Sequence, residues 1–72
     1  TSLDDAYAAL GVGSSVSDKE LKQAYRRLMS ENHPDKLIAR GVPDEMVRLA
    51  TERSQEIQAA YEMVRKHRGA AN

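Results

Sequence analysis

The chain has 72 residues, with 11 basic and 11 acidic side chains and no cysteine. That length allows one domain at most, with a thin core that buries only about 60% of the unfolded surface. Balanced charge argues against a nucleic-acid binder, which carries a basic excess, and the missing cysteines exclude disulfides and thiolate-held metals.

Glycine and proline divide the sequence into three helical stretches, without β-type alternation or an internal repeat. In the first, Leu3, Ala6, Tyr7 and Leu10 follow the i, i+3, i+4, i+7 spacing of one apolar face. Ser2 is expected as the cap, Asp4 and Asp5 suit the first turn, and Gly11 supplies the stop. No apolar run approaches the roughly 18 residues of a membrane span, and the helical start lacks the basic segment of a signal peptide. Thr1 and Asn72 read as the edges of a piece cut from a longer protein.

Gly11-Val12-Gly13-Ser14-Ser15 has some likeness to a phosphate loop. It has neither the preceding strand nor the Gly-Lys-Ser/Thr ending that a nucleotide site needs, so it reads as a turn.

The second helix starts at a capping box, Ser17-Asp18-Lys19-Glu20, with Val16 and Leu21 placed as a hydrophobic staple. Leu21, Ala24, Tyr25 and Leu28 form its inward stripe. It is expected to end near Asn32, because Pro34 drives His33 out of the α region. Residues 33–43 form a long connection in which Asp35 is expected to cap a single turn, Lys36 to Ala39, closed by Gly41. The third helix is expected from Pro43 or Asp44 to Lys66. Its seam, Val47, Ala50, Ser54, Ile57, Tyr61 and Val64, is spaced 3-4-3-4-3. The expected fold is therefore all-α: a short helix packed across an antiparallel two-helix hairpin, with Tyr7 and Leu10 closing the core.

His33 beside Asp35 could serve acid–base chemistry, but a catalytic site also needs a concave pocket, for which three short helices around a thin core leave little room; there is no Cys, and His67 lies far along the chain. Taken alone, His33-Pro34-Asp35 is a helix stop followed by a polar turn. Its setting adds more. Lys19, Lys22 and Arg26 fall within roughly 60° on the second helix, and Arg27 points to the other flank of the exposed surface. A compact basic face that leads into a proline-fixed polar loop suits docking on an acidic protein surface. A helix-turn-helix nucleic-acid module is the main rival, disfavoured by zero net charge and the long connection. A passive helical interaction domain is the other.

Glu20 to Leu28 followed by His33-Pro34-Asp35-Lys36 resembles the core signature of J-domain cochaperones. Asp5 to Val12 resembles that family's opening helix, and Gln55 to Glu62 its last-helix signature. Within the family, Leu28-Met29-Ser30-Glu31, the Gly41-Val42-Pro43 insertion and Gln55-Glu56-Ile57-Gln58 resemble bacterial members with a C-terminal J-domain. The resemblance implies one J-domain over residues 1–72, with no enzymatic activity, cofactor or metal of its own. It implies binding to a DnaK-type chaperone in its ATP state and acceleration of ATP hydrolysis there, coupled to client capture. Lys22, Arg26 and Arg27 would dock on acidic groups, with Tyr25 at the edge of the contact. His33, Pro34 and Asp35 would form the trigger, and Lys36 would extend the positive surface. It further implies a cytoplasmic domain that touches neither membrane nor nucleic acid, on a parent anchored in the bacterial inner membrane. Two features depart from the common pattern: Ser54 stands where an aromatic is usual, and residues 36–43 are longer. Leu37 or Ile38 is expected to fill the space beside Ser54.

Overall fold

The computed structural model describes residues 2–69. Four helices follow in order: α1 (Ser2–Ala9), α2 (Asp18–Glu31), α3 (Pro34–Arg40) and α4 (Asp44–Arg68), with no strand among the described residues. The short helix and the hairpin are as expected. Thr1 and Asn72, read as cut edges, lie outside the described residues.

Helix α1 differs at its start, because Ser2 is already helical and is not the cap. At its other end the chain turns at Gly11, whose φ of +68° is a conformation that glycine adopts without steric cost. Helix α2 begins as its sequence dictates. The Ser17 hydroxyl accepts the Glu20 N–H (3.1 Å), while the Glu20 carboxylate accepts the Ser17 N–H (3.2 Å) and the Ser17 hydroxyl (3.0 Å). The same two Ser17 donors, backbone first, hold the Glu20 carboxyl below its usual range near 4.5. Stability from this box is therefore complete at neutral pH and declines as pH falls through the lowered value. Ser17→Ala is expected to cost about 1 kcal/mol, or roughly 4–8 °C in melting temperature for a domain of this size. Glu20→Gln should flatten the acid limb of stability below about pH 4.5. Thermal melts from pH 3 to 7 check both, and a wild-type acid limb in Glu20→Gln would contradict the assignment.

The hairpin is antiparallel, and three contacts give its register. Asp18 meets Arg68, Tyr25 stacks on Tyr61, and the Asn32 carbonyl accepts the Ser54 hydroxyl. Each step of seven residues along α2 is matched by a step of seven back along α4. All three other helices pack on α4. The core is Ala6, Tyr7 and Leu10 from the α1 segment, Leu21 from α2, and Ile57, Ala60 and Val64 from α4. Leu10, Ile57 and Val64 lose essentially all contact with solvent, which contributes on the order of 1.5–3 kcal/mol each.

The α4 seam departs from expectation at two positions. Ala50, Ser54, Ile57 and Val64 are buried, but Ala60 is the inward residue and Tyr61 is half-buried. A straight helix drifts against a 3.5-residue repeat, and Tyr61 rotates outward to meet Tyr25. Val47 is likewise only half-buried. The helix runs two residues past Lys66, to Arg68.

The expected filling beside Ser54 also needs revision. The Ser54 hydroxyl donates to the Asn32 carbonyl at 2.8 Å, which satisfies an acceptor left over at the end of α2. The position is polar because a helix end faces it. Of the two residues expected to fill the space there, Ile38 is 61% exposed and fills nothing, whereas Leu37 is half-buried.

Candidate functional site

The connection between α2 and α4 is more ordered than its sequence first suggests. Asn32 ends α2 twice over: both its backbone N–H (3.0 Å) and its side-chain amide (2.9 Å) donate to the Leu28 carbonyl. His33 is then extended (φ −72°, ψ 121°), as a residue before proline must be. Pro34 occupies the first position of α3, where its missing N–H and fixed φ cost nothing.

These two constraints make His33 the cap. Its Nδ1 accepts the Asp35 N–H at 3.2 Å, and its carbonyl accepts the N–H groups of Lys36 (3.1 Å) and Leu37 (3.3 Å). The expected cap, Asp35, instead lies inside the first turn. The expected single turn is a seven-residue helix, Pro34–Arg40, closed by Gly41 at φ +76°. The cap was legible in the sequence, because the residue before a proline at a helix start holds cap geometry. An Nδ1 that accepts here carries no proton, so any proton on the ring sits on Nε2.

The arrangement sets out three exposed groups in a short span. The His33 ring is exposed, and the Asp35 carboxylate is exposed in the first turn of α3, where the helix dipole favours its charge. Lys36 reaches back to the Ser30 hydroxyl, tying α3 to the end of α2. Pro34 is half-buried beneath them.

Lys22, Arg26 and Arg27 are exposed on α2, and none pairs with a carboxylate among the described residues. Tyr25 is half-buried. Its ring stacks on Tyr61 with centroids 4.1 Å apart and planes 11° from parallel, and the Arg65 guanidinium lies 5.7 Å over the Tyr61 ring. A groove between α2 and α4 is lined by Lys22, Tyr25, Arg26, Tyr61 and Arg65. Tyr61 and Arg65 were not singled out as site residues from sequence. The basic spacing on α2 says nothing of which α4 residues stand beside it, and only the hairpin register does.

Arg68 was missed as well. Its guanidinium donates to the Tyr7 hydroxyl (3.0 Å), the Asp18 carboxylate (2.7 Å) and the Ser14 carbonyl (3.2 Å), and lies 5.5 Å over the Tyr7 ring. It ties the end of α4 to α1, the first loop and the start of α2, at the end of the hairpin away from His33. The pairing with Asp18, then with Tyr7, holds it firmly in the charged form.

Among the described residues no three metal-ligating side chains converge, and no helix is long and apolar enough to cross a membrane.

Comparison with known proteins agrees with the geometry. The family model described as the DnaJ domain matches residues 5–70. The chain is similar to proteins named Co-chaperone protein DjlA. Identity is 58% over 67 residues for that of Vibrio cholerae, covering 93% of this chain and 24% of the relative. It is 54% over 66 residues for that of Coxiella burnetii (92% and 24%), and 52% over 69 residues for that of Shewanella oneidensis (96% and 26%). The chain thus spans about a quarter of the length of these relatives. No solved structure matches it. With the family's helical signature motifs on the expected helices and a family match across nearly the whole chain, this chain belongs to the DnaJ-domain family.

Proposed function

We propose that the chain is one J-domain of a longer co-chaperone, which binds a DnaK-type chaperone in its ATP state and stimulates hydrolysis there, coupled to client capture. The observation that carries this reading is the pre-set tripeptide. The His33 cap and Pro34 hold α3 in place before any partner arrives, so Asp35 is presented without an ordering cost at the moment of contact. An exposed carboxylate held in this way suits the forked donors of an arginine.

Lys22, Arg26 and Arg27 dock on acidic groups of the partner, and Lys36 extends that positive surface. Tyr25 sits at its edge, braced by Tyr61. The domain supplies no ATPase of its own; the reacting atoms belong to the partner. The names of the similar proteins support the co-chaperone role, and their length supports a parent with further segments. On this reading the domain works in the cytoplasm, on a parent held in the bacterial inner membrane.

Single-turnover ATP hydrolysis by DnaK, with and without this chain, tests the proposal directly. Hydrolysis at the unstimulated rate, at chain concentrations well above DnaK, would refute it. The electrostatic part has its own test. Arg26→Ala is expected to lower the association rate, by a factor that shrinks as salt is raised from 20 to 300 mM, because the screening length between exposed charges falls from roughly 20 Å to roughly 6 Å across that range. A salt-independent loss, measured by stopped-flow binding, contradicts docking through charge.

A further inference from the structure

The basic face accounts for one side of the hairpin and leaves another unexplained. A trough runs between the end of α2, α3 and the first half of α4. Leu37, Met46, Leu49 and Ala50 form its apolar lining. Met46 is 53% exposed and Leu49 54%, large fractions for side chains on a domain with so little core to spare. Ile38, 61% exposed, stands on the same short helix as Leu37. Three of the four large apolar residues exposed on the described chain therefore belong to α3 and the start of α4. Isolated exposed leucines need no explanation, but a gathered set beside a concave surface marks an interaction site. Methionine at its edge suits a surface that adapts to a partner's side chains.

The rim states what kind of partner fits. Glu31, Glu52 and Glu56 line the trough against a single cation, Arg53. None of these three carboxylates is paired with a cation among the described residues. Glu31 lies on the flank of α2 about 180° from Lys22, so the trough faces away from the centre of the basic patch. Its charge is the reverse of that patch, and an acidic surface attracted to Lys22 and Arg26 is repelled here.

We propose that this trough is a second docking surface, which takes an amphipathic polypeptide segment carrying lysines or arginines beside its apolar face. The apolar side chains of the segment enter between Leu37, Met46 and Leu49, and its cations reach Glu52, Glu56 and Glu31. This is the helix-in-groove mode of peptide recognition, with the rim charges setting partner choice. The surface is independent of the DnaK reading, and stands or falls without it.

The test is an NMR titration of the isotope-labelled chain with two short helical model peptides, one of leucine and lysine and one of leucine and glutamate at the same spacing. The leucine–lysine peptide is expected to give saturable shifts centred on Leu37, Met46, Leu49 and Glu52, with binding about tenfold tighter than the glutamate peptide. The exposed pair Met46→Ser/Leu49→Ser should keep its melting temperature and lose about tenfold in affinity. Glu52→Gln/Glu56→Gln should keep binding and lose the preference for lysine over glutamate. Equal binding of both peptides, shifts centred on Lys22 and Arg26, or unchanged affinity in the serine pair would each overturn the proposal. So would concentration-dependent shifts of the chain alone at these residues that leave no room for peptide, since the occupant would then be a second copy.

Discussion

Asp35→Asn is expected to abolish stimulation of the DnaK ATPase while leaving the domain folded. The substitution keeps the shape of the side chain and removes its charge. Asp35 is exposed, and its backbone N–H, not its carboxylate, makes the bond that organises the turn. The cost to the fold is the lost interaction with the α3 dipole, about 0.3–1 kcal/mol. The cost to function is larger. A hydrogen bond to a charged group is worth about 1.5–3 kcal/mol, which corresponds to a roughly ten- to hundredfold fall in stimulated single-turnover hydrolysis. Circular dichroism melts and the hydrolysis assay on the same sample separate the two costs. Retained stimulation would remove Asp35 from the trigger, and a melting temperature lowered by more than about 8 °C would mean that its carboxylate supports the fold.

Arg68→Ala is expected to be the most destabilising polar substitution, although the residue lies at the last turn of a helix where fraying usually makes changes harmless. Arg68 is only 17% exposed at its side chain and makes three hydrogen bonds to three separate segments. Its partner Asp18 is 73% exposed, so that ion pair by itself contributes at most about 1 kcal/mol. The larger part is the bond to Tyr7, whose buried ring would be left with an unpaired hydroxyl, and the packing of the guanidinium on that ring. Together these amount to about 2–3 kcal/mol, a drop of roughly 8–24 °C in a domain of this size. Arg68→Lys should recover little, because an ammonium cannot fork across three acceptors. Thermal unfolding of the two variants beside Tyr7→Phe measures this. If Arg68→Ala melts within about 2 °C of wild type, the network contributes nothing to the fold.

The two substitutions act at opposite ends of the hairpin. One end is held by Arg68, and the other carries the His33-Pro34-Asp35 turn. A difference in function without a difference in stability, and the reverse, would show that the two ends are energetically separate. The register of α2 against α4 joins them, with the Tyr25–Tyr61 stack midway.

The start of α2, the glycine stops, most of the apolar stripes and the exposed basic face were legible in the amino-acid sequence, because each depends on physics that acts within a few residues. Ser17 and Glu20 are three apart and cap each other in any fold that contains α2. Gly11 and Gly41 end helices because their conformation is strained for other residues, and Pro34 imposes extension on His33 alone. The family motifs are likewise strings of neighbours. Even the misread cap was local: Asp35 is a common capping residue, but Pro34 had already assigned that geometry to His33. What the tertiary structure alone decided are meetings between distant positions. Ser54 is polar because the carbonyl of Asn32, 22 residues earlier, ends a helix opposite it. Tyr61 leaves the α4 seam because Tyr25 waits outside it. Arg68 is the next seam position after Val64 in the 3-4 spacing of α4, but its partner Tyr7, 61 residues away, is set only by the closed fold. Helix periodicity specifies which face turns inward, but the register between helices is set by how their side chains interlock, and that exists only once the chain has closed on itself.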